Sequence, residues 1–180
     1  MRRVVVPLSE NVVNTLFTIG YEGASLADFL ATLRAVNIGV LVDVRDVPIS
    51  RKPGFSKKVL AAHLEDVGIR YLHLPDLGDP KAGRDAARRG DTSTFIRIFR
   101  AHLDRGEAQA ALGQAVDIAS ELTACLFCFE RDPAGCHRSI VAEAMTGRQS
   151  FLVTHLGVRS GLTSVRRVCR EQQRELFPVG

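Results

Sequence analysis

The 180 residues include no tryptophan, two tyrosines and two methionines. Nine phenylalanines supply most of the rings, so stacking on nucleic-acid bases is possible but carries no sequence signal. Cysteines number four and are unevenly spaced, which excludes a disulfide framework and implies reduced thiols. No apolar run approaches the roughly 20 residues needed to cross a bilayer. The opening segment offers three valines before Pro7, too few for a signal peptide, and a cytoplasmic location is expected. A Gly-rich dinucleotide fingerprint is missing, as is a P-loop lysine motif. Neither an internal repeat nor a low-complexity linker is present. The residues that are there are 46% hydrophobic and 24% charged, which suits one soluble core and rules out a disordered chain.

Charge is unevenly spread. The formal net charge of +4 permits an anionic partner without demanding one. Residues 51–58 hold Arg51, Lys52, Lys57 and Lys58 and no acid. Lys57 and Lys58 fall in the first turn of an expected helix, where positive charge opposes the helix dipole. An anionic ligand would relieve that conflict, and a solvated loop is the plainer alternative. From Arg148 onward there are six arginines against Glu171 and Glu175, which makes a basic tail.

Short apolar runs alternate with amphipathic stretches. That pattern predicts an α/β fold, an open and mainly parallel twisted sheet of about five strands with helices on both faces. Strands are expected at 15–20, 39–45, 69–74, 123–130 and 151–155. Helices are expected from Ser25 to about Val36, from Ser56 to Gly68, and near 92–104, 107–120 and 136–146. Ser25 should cap the first helix, with Asp28 completing a capping box. A polar loop is expected from Pro75 to about Asp91. The domain then spans 15–156, with an N-terminal extension over 1–14 and a basic, helical tail over 157–180 docked on it.

In an open parallel sheet, ligands bind beyond the carboxyl ends of the strands. Gly20-Tyr21, Asp43, Arg45, Glu130 and His155 all fall at such ends. Asp43 and Arg45 are two apart, so they share a face. Either they form a structural ion pair, or Arg45 clamps an anion with Asp43 as base or orienting partner. Cys125 and Cys128 spell CxxC, but residues three apart on a strand face opposite ways. Cys125 should therefore be core, and Cys128 should lie on the Glu130 face.

Cys136-His137-Arg138-Ser139 opens a helix, where free N–H groups and the dipole favour an anion or a thiolate. A lowered pKa at Cys136 is the functional expectation. The alternative is a cap at Cys136, a solvent-facing His137 and an Arg138 paired with Asp43 or Glu130. A zinc site from Cys128, Cys136, His137 and His155 matches no common spacing, and neighbours on a helix diverge, so no metal and no cofactor is expected. His63, His73 and His102 are expected as satisfied or surface histidines.

The runs Thr18-Ile19-Gly20-Tyr21-Glu22-Gly23, Leu41-Val42-Asp43-Val44-Arg45 and Ser50-Arg51-Lys52-Pro53-Gly54-Phe55-Ser56 closely resemble the family catalogued as domain of unknown function 488. So do Leu77-Gly78 with Pro80-Lys81, Cys128-Phe129-Glu130, Cys136-His137-Arg138-Ser139 and His155-Leu156. The resemblance covers about residues 16–156. One departure is visible: where the family commonly has Phe, three residues and Tyr, this chain has Phe95 and Phe99. The resemblance implies a compact α/β domain in which Tyr21, Asp43, Arg45, Glu130, Cys136, His137, Arg138 and His155 form one site.

These residues together lead to two expectations, with a third possibility, a structural zinc protein, that metal content alone would test. The first is an enzyme that binds an anionic small molecule or nucleic acid, phosphate-bearing, in a strand-end cleft and performs hydrolysis or group transfer rather than redox chemistry. Asp43, Glu130 and Cys136 would carry the chemistry. Tyr21, Arg45, Arg51, Lys52, His137, Arg138, Ser139 and His155 would bind substrate. The second is a non-catalytic module for nucleic acid or protein, marked by steep loss of binding with salt. No membrane partner is expected, and the oligomeric state is left open.

Overall fold

The structure, a computed structural model, describes residues 13–161. The extension over 1–14 and the tail over 157–180 therefore lie, but for their inner ends, outside the described residues. Five strands form one sheet: β1 (Asn14–Gly20), β2 (Val40–Asp43), β3 (Arg70–His73), β4 (Ala124–Cys128) and β5 (Phe151–Leu156). Every pairing is parallel and the order is β3-β2-β4-β1-β5. Six helices connect them: α1 (Leu26–Ala35), α2 (Lys57–Glu65), α3 (Lys81–Arg88), α4 (Thr92–Leu103), α5 (Gly106–Glu121) and α6 (His137–Arg148). Among the described residues no helix is long and apolar enough to cross a membrane.

Side chains alternate across the sheet as a period of two requires. Val40, Val42, Leu126 and Cys128 face a core shared with α3, α4, α5 and α6. Ile19, Leu41, Cys125 and Phe127 face the opposite core, shared with α1 and α2. The CxxC therefore splits between two cores, as the strand geometry requires. Near the ends of β1 and β4, Tyr21 stacks on Phe55 at 4.4 Å between centroids and on Phe127 at 5.2 Å.

Ser25 caps α1: its Oγ accepts from the Asp28 backbone N–H at 3.1 Å. Ser56 stands at the N-cap of α2 but makes no side-chain cap bond. Its hydroxyl instead donates to the Ser50 carbonyl and accepts from the Ser50 N–H, closing the 50–56 loop. The expected polar loop after β3 is corrected. A single 3-10 turn (Pro75–Leu77) and all of α3 occupy it. The buried face of α3 is Gly83 and Ala86, too small to register as an apolar stripe in the sequence.

The connection from β1 leaves through α1 on one face, and that from β4 leaves through α6 on the other. These adjacent strands form the topological switch point, the place where open α/β sheets bind ligands. Backbones meet closely there. A Cβ at Gly20 would overlap the carbonyl of Glu130, so only glycine lets the end of β1 pass beneath the loop after β4.

Candidate functional site

A cleft of about 600 Å³ opens beyond the ends of β1, β2 and β4. Its walls include Tyr21, Arg45, Arg51, Lys52, Arg84 and Arg88. Cys128, Glu130, His137 and Asp79 line its inner part. Val47, Ile49 and Phe129, all exposed large apolar side chains, give it an apolar flank. Arg84 is bound to the Asp46 carboxylate at 2.6 Å and to the Asp79 carbonyl. Arg88 pairs with Asp85. Arg51 and Lys52 form no ion pair among the described residues, so they are the cations left for a ligand. Lys57 turns instead to His73, 3.0 Å away.

The inner end of the cleft gathers four donor groups. The thiols of Cys128 and Cys136 each donate to Glu130 Oε2 at 3.0 Å. His137 Nδ1 lies 3.8 Å from the Cys128 sulfur. His137 is buried, contrary to the solvent-facing alternative, and its Nε2 donates to the Val44 carbonyl at 2.8 Å. The ring of Phe99 packs 5.2 Å from its own. Cys136 and His137 do not diverge, because Cys136 is the N-cap residue with extended backbone (φ −117°, ψ 136°) rather than part of the helix. The thiolate expected at Cys136 is also corrected. Burial pushes its thiol well above the usual value, outweighing the helix terminus. Burial opposes ionisation of Glu130 too, but the two thiol donors, a backbone N–H and His137 together outweigh it and hold the carboxyl below its usual range.

Asp79 belongs to this site and was not singled out from the sequence. Its Oδ1 is buried and has no hydrogen-bond partner among the described residues. Burial pushes its pKa up to about 6, against lowering contributions from His137, Arg84 and His102 and a raising one from Glu130. Gly83 leaves it room: a Cβ there would overlap Oδ1. The available signal was the family-like pair Leu77-Gly78 and Pro80-Lys81, which brackets it.

Other expected site residues are engaged by the protein itself. Arg45 grips Asp43 with two parallel bonds, Nε to Oδ1 at 2.8 Å and Nη2 to Oδ2 at 2.5 Å. It also donates to the Phe55 carbonyl and Tyr21 hydroxyl, and lies 4.7 Å above the Phe127 ring. Asp43 is fully buried and takes the Tyr71 hydroxyl as well, so it anchors Arg45 rather than facing the cleft. Among the described residues Arg138 pairs with no carboxylate; it donates to the carbonyls of Glu130 and Arg131 and to Thr18 Oγ1. His155 joins that group through Thr18, 2.7 Å away, on the far side of β1 from β4. Ser139 bonds the Pro133 carbonyl. The structure thus brings Tyr21, Arg45, Arg51, Lys52, Glu130 and His137 to one cleft, with Cys136 behind it. Asp43, Arg138, Ser139 and His155 brace the surrounding loops.

A family model described as domain of unknown function DUF488 matches residues 25–145. No curated protein matches the chain. No solved structure matches it either.

Proposed function

The chain belongs to the DUF488 family, and for it we propose an enzyme that binds a phosphate-bearing substrate in the strand-end cleft and performs hydrolysis or group transfer. The observation that carries this reading is Asp79: a carboxylate with a buried oxygen that has no partner among the described residues, at the inner wall of a cleft whose entrance holds Arg51 and Lys52. A buried acceptor left unsatisfied costs stability, and active sites are where that cost is tolerated. Its pKa of about 6 fits a group that is ionised near neutral pH and still basic enough to take a proton.

In this reading Arg51 and Lys52 hold the phosphate. Val47, Ile49 and Phe129 receive an apolar or flat portion, as in a nucleoside phosphate, and 600 Å³ suits a ligand of that size. Water, or an acceptor hydroxyl, attacks the electrophilic atom and passes its proton to the Asp79 carboxylate. The bond to the leaving group breaks, and the leaving group takes its proton from solvent. Cys136 is buried behind the cleft and is not among its lining residues, so it is not assigned as the nucleophile.

The test is a panel of nucleoside, sugar and aromatic phosphates alongside short oligonucleotides, with products read by mass spectrometry. At least one should be converted. Asp79→Asn should lower kcat by about 100-fold or more, and Arg51→Ala with Lys52→Ala should raise KM with little effect on kcat. Binding that collapses with salt while every ligand stays chemically unchanged would replace the enzyme with a binding module.

A further inference from the structure

We propose that Cys128, Glu130, Cys136 and His137 form a zinc site. The donor atoms of these four residues all lie within 4.8 Å of one another. Zinc bonds of about 2.3 Å to sulfur and about 2.0–2.1 Å to nitrogen or oxygen place tetrahedral donors about 3.3–3.8 Å apart. The contacts of 3.0 Å from each sulfur to Glu130 Oε2, and 3.8 Å from the Cys128 sulfur to His137 Nδ1, bracket that spacing. Small adjustments of side chains already facing one another would complete the tetrahedron.

An independent feature is the orientation of His137. A carbonyl only accepts, so the bond to Val44 fixes the proton of the neutral ring on Nε2. That leaves Nδ1 without a proton; the Cys128 sulfur stands 3.8 Å from Nδ1 and 4.0 Å from Nε2, off the Nδ1 lone-pair axis, so a tilt of the ring is needed to aim that nitrogen at a metal. Metal-binding histidines are held in this way, with the far nitrogen donating to a carbonyl or carboxylate. The elements supporting the donors are regular: Cys128 ends a central strand, Cys136 stands at the N-cap of a twelve-residue helix and His137 is its first residue. Arg138 fixes the intervening loop through the Glu130 and Arg131 carbonyls. Three of the four donors are buried, and Glu130 is the half-buried one at the cleft. Two sulfurs and an imidazole select zinc over magnesium or calcium, which prefer oxygen.

On binding, both thiols give up their protons to solvent and four donor bonds form to the ion. Nothing is oxidised or reduced. The assignment does not require that the cleft turn over a substrate; it departs from the sequence reading, which expected no metal and set aside a group with His155 in the place Glu130 takes here.

The experiment measures zinc in the purified full chain by plasma mass spectrometry, then adds cobalt(II) to the metal-free chain. About one zinc per chain is expected, together with a thiolate-to-cobalt charge-transfer band and the visible spectrum of tetrahedral cobalt. Cys128→Ser and Cys136→Ser should weaken zinc binding by more than about 100-fold, beyond the cost of losing a supporting contact. Cys169→Ser should leave it unchanged. Glu130→Gln, close in shape, should weaken it and diminish the zinc-induced rise in Tm. If the cysteine variants fail to fold, the wild-type cobalt spectrum decides. A folded wild type that gives no charge-transfer band overturns the site. Zinc held equally by wild type, Cys128→Ser and Cys136→Ser also overturns it, since the metal would then sit elsewhere.

Discussion

Two residues show how the cleft is paid for locally. Asp79 prefers to be protonated in the fold, with a pKa near 6 against an ordinary 3.8. A raised folded pKa stabilises the native state below the unfolded pKa, and that contribution is lost as pH rises through the folded pKa. Asp79→Asn should therefore match wild type near pH 4 and exceed its stability above pH 6, by on the order of 2 kcal/mol. Urea unfolding of both proteins across that range, with chelator present, checks it; a constant difference at all pH values refutes it. His137, Arg84, His102 and Glu130 face Asp79 and set how far the transition shifts. Gly20 is constrained from the other side. Gly20→Ala puts a methyl into the Glu130 carbonyl, and backbone cannot yield as a flexible side-chain end does. A loss of about 1–3 kcal/mol is expected in urea unfolding, with the Glu130 loop displaced.

At the scale of elements, the loop between β4 and α6 and the two residues that flank it carry all four donor groups. Glu130 is fixed by what surrounds that loop: Arg138, 1% exposed, reaches back from the first turn of α6 to the Glu130 and Arg131 carbonyls while touching Thr18 on β1. One guanidinium thus ties a helix, a loop and a strand. Arg138→Met keeps the apolar bulk and leaves those acceptors unpaired, which should cost about 2–4 kcal/mol. Arg138→Lys should recover part of the loss, because an ammonium can reach one carbonyl but cannot span two as the fork does. Denaturant titration of the three proteins gives the ranking. Equal stability of all three would show that the carbonyls find other donors. The Asp43–Arg45 pair does comparable work after β2, holding the Phe55 carbonyl and so the loop that carries Arg51 and Lys52.

For the whole molecule, sheet order predicts where stability lies. β1, β2 and β4 are interior strands bonded on both sides, whereas β3 and β5 are edges. Amide exchange should be slowest in Leu41, Val42, Leu126 and Phe127, and faster along β3, whose residues are exposed or half-buried. Mass-resolved hydrogen exchange checks this, and β3 protected as strongly as β4 would refute it. The cleft lies at the switch between β1 and β4, so its floor rests on the most protected strands. Its entrance, from Val47 to Lys52, rests on a loop.

The sequence by itself determined the α/β class, the five strands, the split of Cys125 from Cys128 and the cap at Ser25. All of these follow from periodicities of two and 3.6 residues and from capping chemistry, which act over a few neighbours. It missed α3, whose buried face is glycine and alanine, and so missed Asp79 at its entrance. Only the tertiary structure decided which polar residues are available for a ligand. In the sequence Arg45 and Arg138 each read either as an anion clamp or as the partner of a carboxylate, because spacing alone leaves both open. The fold commits one to Asp43 and the other to two carbonyls of the preceding loop. Likewise, whether Cys136 and His137 diverge depended on one backbone conformation: an extended N-cap turns the thiol toward Glu130, and no spacing in the sequence encodes that turn.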